Sequence, residues 1–153
     1  MIVRPALLHD VPQLLQLMHG LATFEGYRDR FAVTEADLVE RGFSRKRAPE
    51  FHVFVAADES ETLAGYALTY LIPFTFDLRP TLVLKEFFVA DRHRSSGIGR
   101  RLYEAVIGYG RESGARLLRW QVLPSNEGAR RFYSTFGGKV DEAWENWVLE
   151  LDR

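Results

Sequence analysis

Apolar and polar positions along the chain switch period several times, and each switch marks an element. Residues 2–4 alternate as a short strand. From Val11 the apolar residues Leu14, Leu15, Leu17, Met18 and Leu21 fall on one helical face, so a helix is predicted from an Asp10 cap to about Phe24, ended by Gly26. Thr34, followed by Asp37 in the first turn, starts a second helix that Gly42 closes. Residues 51–56 and 63–74 are rich in β-branched and aromatic residues and flank the polar turn 58–61, the pattern of an antiparallel hairpin. Pro73 and Pro80 bracket an irregular connection to a third central strand, residues 81–89. Residues 97–111 are predicted as a helix packed by Ile98, Leu102, Val106 and Tyr109, and residues 116–123 as a strand. Ser125 is the expected cap of a helix over residues 126–136, ended by Gly137 and Gly138. Short strands near Lys139 and Val140 and over residues 146–151 finish the chain. The order β-α-α-β-β-β-α-β-α-β-β implies an α+β fold: a mixed sheet flanked by helices, formed by residues 1–153 as one domain.

Composition narrows the function classes. A chain of 153 residues with 46% hydrophobic content can bury one substantial core. A net charge of -1 argues against a dedicated nucleic-acid binder. The absence of cysteine excludes disulfides, thiolate metal sites and thiol nucleophiles. Neither a signal-type leader nor a bilayer-length apolar run is present, so a cytoplasmic protein without a membrane partner is expected. The histidines His9, His19, His52 and His93 lack ligand-type spacing, and no metal is expected.

The informative stretch is residues 82–102. A hydrophobic strand runs into a tight loop, Arg94-Ser95-Ser96-Gly97-Ile98-Gly99, which opens a helix. The first amides of a helix have no intrahelical acceptor, and its dipole favours negative charge, so glycines there allow phosphates to approach closely. The pattern describes a pyrophosphate cradle. It is not a P-loop, which ends in Gly-Lys-Ser/Thr, and not a Rossmann fingerprint, whose third glycine is replaced by Leu102. A strand-to-helix turn that needs glycine for its backbone alone is the competing reading.

Arg94-x-x-Gly97-x-Gly99 resembles the acetyl-CoA motif of the GNAT N-acetyltransferases, and Asn126 with Phe132-Tyr133 is similar to that family's later Asn…Phe-Tyr element. Val3-Arg4-Pro5-Ala6, residues 21–25, residues 34–38 and Glu86-Phe87-Phe88-Val89 also resemble the diamine acetyltransferase branch, which includes the spermidine/spermine and thialysine enzymes. The resemblance spans nearly the full length. It implies a three-layer GNAT fold with a mostly antiparallel central sheet, acetyl-CoA as co-substrate, a small-molecule primary amine as acceptor and a homodimer.

The resemblance also assigns roles. Phe87, Phe88 and Val89 would lie along the pantetheine, with the Val89 amide as donor to the thioester oxygen. Ser95, Ser96, Gly97, Ile98, Gly99 and Arg100, with Arg94, would hold the pyrophosphate, and Asn126 and Ala129 would contact the cofactor. Tyr133 would be the general acid for the departing thiolate, against a packing role beside Phe132 and Phe136. Phe24 and Glu25 match a substrate-side pair, with Glu25 available to bind an ammonium or act through water, against a surface role at a helix end. Trp120, Trp144 and Trp147 are expected in the core or a dimer interface.

One position departs from the family. The diamine enzymes carry an acidic pair before Phe-Phe-Val whose first member is the base; here the pair is Lys85-Glu86. An alkylammonium has a pKa of about 10.4, so the base matters at neutral pH. Lysine would repel a polycation and suit an acceptor with an anionic group. Strand alternation places Glu86 on the face opposite Lys85, where it could not replace the missing base. Acetylation of a protein terminus or lysine, and a non-catalytic acyl-CoA-binding module, remain as alternatives.

Overall fold

The computed structural model describes residues 1–152. They form two compact units, residues 1–120 and the described residues from 121 onward.

The first unit is a five-stranded sheet in sequential order with helices on its two faces. Its strands are β1 (Ile2–Pro5), β2 (His52–Ala57), β3 (Leu63–Ile72), β4 (Thr81–Val89) and β5 (Leu117–Arg119). The first three pairings are antiparallel, and β4 pairs β5 in parallel, so the sheet is mixed and mostly antiparallel as expected. The helices of this unit are α1 (Val11–Glu25), α2 (Glu35–Leu38) and α3 (Ile98–Glu112).

Alternation along β2 divides the two faces. Val53, Val55 and Ala57 join Val11, Leu14, Met18 and Leu21 of α1 in one core. His52 and Phe54 turn to the other face, where their rings meet Tyr109 of α3 at 4.5 and 5.8 Å. Leu102 and Val106 of α3 are fully buried, supplying the predicted apolar stripe.

Asp10 does not cap α1. A 3-10 turn over Leu8–Asp10 precedes the helix, and the Asp10 carboxylate accepts the Leu7 amide at 2.7 Å instead. It also binds the Arg4 guanidinium at 2.7 and 3.1 Å, and Arg4 reaches Glu61 at 2.5 Å. His9 lies 3.6 Å from both acids that bind the Arg4 cation.

Burial pushes the Asp10 pKa up, but the Arg4 and Leu7 hydrogen bonds outweigh it and hold the carboxyl below its usual value. A depressed carboxylate contributes stability that is complete above its unfolded pKa of about 3.9 and is lost as pH falls through the folded value. Asp10→Ala should cost about 3 kcal/mol, because Arg4 then keeps only the exposed Glu61 as an acidic partner, beside the Pro5 carbonyl at 3.2 Å. Urea unfolding at pH 7 measures that loss.

Other boundaries differ from the pattern. After α2 the chain widens into a π-helical turn over Val39–Phe43, where Gly42 admits the Phe51 ring: a Cβ there would come 2.3 Å from it. The predicted strand over residues 116–123 is only the three residues of β5.

The second unit contains α4 (Glu127–Ser134). Its cap is Asn126, one residue after the expected Ser125: Asn126 Oδ1 accepts the Ala129 amide at 3.1 Å. Residues 139–140 and 146–151 form no strand, and Trp144, Trp147, Val148, Leu149 and Leu151 are exposed. The sequence gives this segment strand-like residues, but no neighbouring strand pairs with it. Trp120 is half-buried, its ring edge-on to Tyr103 at 5.8 Å, whereas Trp144 and Trp147 are not core residues. No helix among the described residues is long and apolar enough to cross a membrane.

Candidate functional site

The end of β4 and the loop after it bring most of the predicted residues of the first unit together. β5 pairs only with residues Thr81, Leu82 and Val83, so the rest of β4 continues without it. On the β3 side, the Ala90 amide donates to the Ala64 carbonyl at 2.8 Å. In an antiparallel ladder hydrogen-bonded and non-bonded pairs alternate, so Val89, opposite Gly65, turns its amide and carbonyl away from β3. Its carbonyl accepts Arg94 Nε at 3.1 Å. The Val89 amide points to the same side, where a ligand oxygen could take it.

Gly65 permits this arrangement. A Cβ there would lie 2.7 Å from the Phe88 carbonyl oxygen and 3.2 Å from Val89 Cα, both backbone atoms. Gly65→Ala should therefore displace the β4 end and lower kcat at least about tenfold, since small misplacements in an active site cost that much. Steady-state assays beside a circular dichroism spectrum separate this from unfolding.

The loop has the geometry of an anion cradle. Ser95 and Gly97 both adopt left-handed backbone (φ +62 and +82), and α3 begins at Ile98. The Arg101 amide is the first to close on the loop, donating to the Gly97 carbonyl at 3.2 Å. The Ile98, Gly99 and Arg100 amides precede it as the first turn of a fifteen-residue helix. The left-handed conformation is natural for Gly97 and strained for Ser95, and such alternating loops turn successive amides inward.

Arg94 sits differently from a simple phosphate ligand. Its guanidinium lies over the rings of Phe24 and Phe88, at 5.2 and 5.7 Å, and pairs with Asp91 at 2.9 Å. It links the predicted substrate-side Phe24 to the loop that opens α3.

The decisive feature is a β-bulge. β3 and β4 pair Leu68 with Glu86 and then Thr69 with Leu84, leaving Lys85 as the extra residue. Side chains on either side of it confirm the change of phase. Leu82 faces Gly110 of α3, yet Phe88, an even number of residues later, faces Gly20 of α1. Lys85 and Glu86 therefore share the α1 face and line one cavity of about 380 Å³. The expectation that they point to opposite faces is corrected by the bulge.

Met18, Phe31, Leu38, Phe51 and Leu68 supply the apolar wall of that cavity, with Asp37 and Arg41 at its polar positions. Glu86 Oε1 accepts the Tyr66 hydroxyl at 3.2 Å. Burial raises the Glu86 pKa above the usual carboxylate value, the Tyr66 hydrogen bond and Lys85 oppose the rise, and the nearby charge of Glu25 adds to it. Burial, with the charges of Glu86 and Glu25, also pushes Tyr27 up to about 12. Glu25 and Glu86 thus feel each other, although Phe24 and Glu25 do not line the cavity. Tyr66 and Tyr27 carry no sequence signal: Tyr66 lies twenty residues from the carboxylate it binds.

In the second unit, Asn126 uses its side-chain oxygen for the α4 cap, which leaves its amide group as donor. Tyr133, near the end of α4, meets the Phe132 ring at 5.3 Å, and its carbonyl accepts the Phe136 and Gly138 amides, each at 3.1 Å.

Comparison with known proteins bears on the family and the fold. Thialysine N-epsilon-acetyltransferase of Sus scrofa is 28% identical over 153 residues, covering 95% of this chain and 88% of the relative. L-ornithine N5-acetyltransferase of Arabidopsis thaliana is 21% identical over 184 residues, covering 93% and 81%. The crystal structure of a probable acetyltransferase shares the fold, with a TM-score of 0.84 at 22% identity and coverage of 100% and 99%. The acetyltransferase (GNAT) family model matches residues 14–137, and with this match over most of its length the chain belongs to that family and is an acetyl-transferring enzyme.

Proposed function

We propose that the enzyme transfers acetyl from acetyl-CoA to the primary amine of a small molecule by direct attack within a ternary complex, with Glu86 as general base. The observation that carries this reading is the bulge, by which the half-buried Glu86 carboxylate lines the cavity, three residues before Val89 on β4. A carboxylate with a raised pKa is a better proton acceptor from an alkylammonium than an ordinary one, directly or through water. Tyr66 holds it in place, and Glu25 keeps the surroundings attractive to a cation.

The residues fit the co-substrate. The first-turn amides of α3 and the left-handed backbone at Ser95 and Gly97 suit a pyrophosphate, and Arg94 braces the loop through the Val89 carbonyl and Asp91. Ser96 keeps the loop closed by donating its hydroxyl to the His93 carbonyl. When bound, acetyl-CoA supplies the activated acyl group. Phe87 and Phe88 would flank the pantetheine, and the Val89 amide would donate to the thioester oxygen as charge develops there. One such donor contributes about 10²–10³ in rate. By the family resemblance, Asn126 and Ala129 would contact the cofactor, and Tyr133 would return a proton to the thiolate. Residues 1–153 would act as one catalytic domain, and the exposed Trp144, Trp147 and Leu149 favour a homodimer.

The chain has no cysteine, so the thiol route to an acetyl-enzyme is closed. Direct transfer predicts intersecting initial-velocity lines and an unchanged intact-protein mass after incubation with acetyl-CoA alone. Parallel lines with an acetylated protein would replace this mechanism by a two-step one.

A further inference from the structure

Four charged side chains line the cavity: Asp37, Arg41, Lys85 and Glu86. Three are committed. Asp37 accepts the Thr34 amide and hydroxyl at 2.9 and 2.8 Å in the cap of α2. Arg41 pairs with Glu50 at 3.4 Å, and Glu86 accepts the Tyr66 hydroxyl. Lys85 makes no hydrogen bond or ion pair among the described residues, although the bulge puts it in the same cavity as the carboxylate next to it.

We infer that the acceptor carries an anionic group besides its amine, and that Lys85 Nζ is the seat of that group while the amine faces Glu86. This rests on the acetyl-transfer reading above and names the substrate class of the same cavity. A free ammonium beside a carboxylate presents one charge of each sign, which matches an amino acid or aminophosphonate and mismatches a diamine. A second ammonium on the acceptor would find Lys85, a like charge, and Arg41 across the cavity, itself a cation. Lysine is a compact point charge without the bidentate fork of arginine, so it selects for negative charge more than for carboxylate shape.

The test uses acceptors of one chain length that differ only at the far end: propylamine, 3-aminopropanoate, 3-aminopropylphosphonate and 1,3-diaminopropane. A five-carbon set (pentylamine, 5-aminopentanoate and 1,5-diaminopentane) is run beside it. Rates are normalised to the unprotonated amine. For the native enzyme kcat/KM should favour the anionic acceptors over the diamines about tenfold, mostly through KM. The carboxylate and phosphonate arms show which anion is preferred. Lys85→Met should bring the ratio near one, and Lys85→Glu should invert it in favour of the diamines, an outcome that a merely structural role for Lys85 would not produce. A native preference for diamines, or a ratio unchanged in Lys85→Glu, overturns the inference while leaving acetyl transfer intact. Calorimetric binding of the same acceptors to the CoA-bound protein gives a second readout. If no acceptor is acetylated, the transfer reading fails, and the binding ratio in native and Lys85→Glu protein still decides the role of Lys85.

Discussion

Glu86→Gln should lower kcat by about 10²–10⁴-fold, the range spanned by positioned acid–base groups. Glutamine keeps the shape and can still accept the Tyr66 hydroxyl, so the Tyr66 hydrogen bond and the packing of β4 against α1 are retained. What it loses is the ability to take a proton. The effect should carry a pH signature. Burial raises the Glu86 pKa, so the carboxylate becomes basic only as pH climbs through that raised value. In the native enzyme kcat at saturating amine should therefore rise with pH across that value and level off. In Glu86→Gln the break at that pH should be absent, and the residual rate should climb with the free-amine fraction straight through it. The pH profiles of kcat for the two proteins are the measurement. A break that survives in the variant at the native position would assign the base to another group, with Glu25 the next carboxylate to replace.

Tyr133→Phe should cost about 10²-fold or more in kcat with little change in the acetyl-CoA dissociation constant. A phenol with a pKa of about 10 is protonated at neutral pH and can supply the proton that a thiolate, conjugate to a thiol of about 8.5, takes up on leaving. Phenylalanine preserves the ring and its edge-to-face contact with Phe132 at 5.3 Å. A packing role for Tyr133 predicts that Phe serves nearly as well as Tyr, so the two readings differ in outcome. Pre-steady-state thiol release, with acetyl-CoA affinity by calorimetry, distinguishes them.

The local features of the site were legible in the sequence, and its long-range pairing was not. Strand β4 begins and ends where its run of β-branched and aromatic residues does, and α3 begins at Ile98 as the Gly97-Ile98-Gly99 step requires. These are decided within a few residues of chain. The bulge is different. Whether Lys85 is the unpaired residue depends on where Leu68 and Thr69 lie in another strand, so counting alternate positions along β4 alone put Glu86 on the wrong face. The same reason hid the Tyr66–Glu86 hydrogen bond and the Phe51 ring that fills the space over Gly42. Asp10 shows the converse error: its local pattern resembles a helix cap, but the Arg4 cation, drawn from β1, gives its carboxylate a stronger partner. Residues 146–151 have the composition of a strand and no partner strand, and composition alone does not make a ladder.

Acetyl transfer from acetyl-CoA to a small amine yields two products in equal amounts. The direct measurement is a coupled one: thiol release and the acetylated amine are quantified together, by a thiol reagent and by mass spectrometry, over a panel of amino acids, diamines, aminoalkyl phosphonates and peptides. Transfer to a small amine predicts one thiol released per N-acetylated small molecule, with peptides poor acceptors. Tight acetyl-CoA binding without acetylation of any acceptor, or transfer confined to the peptides, would contradict it.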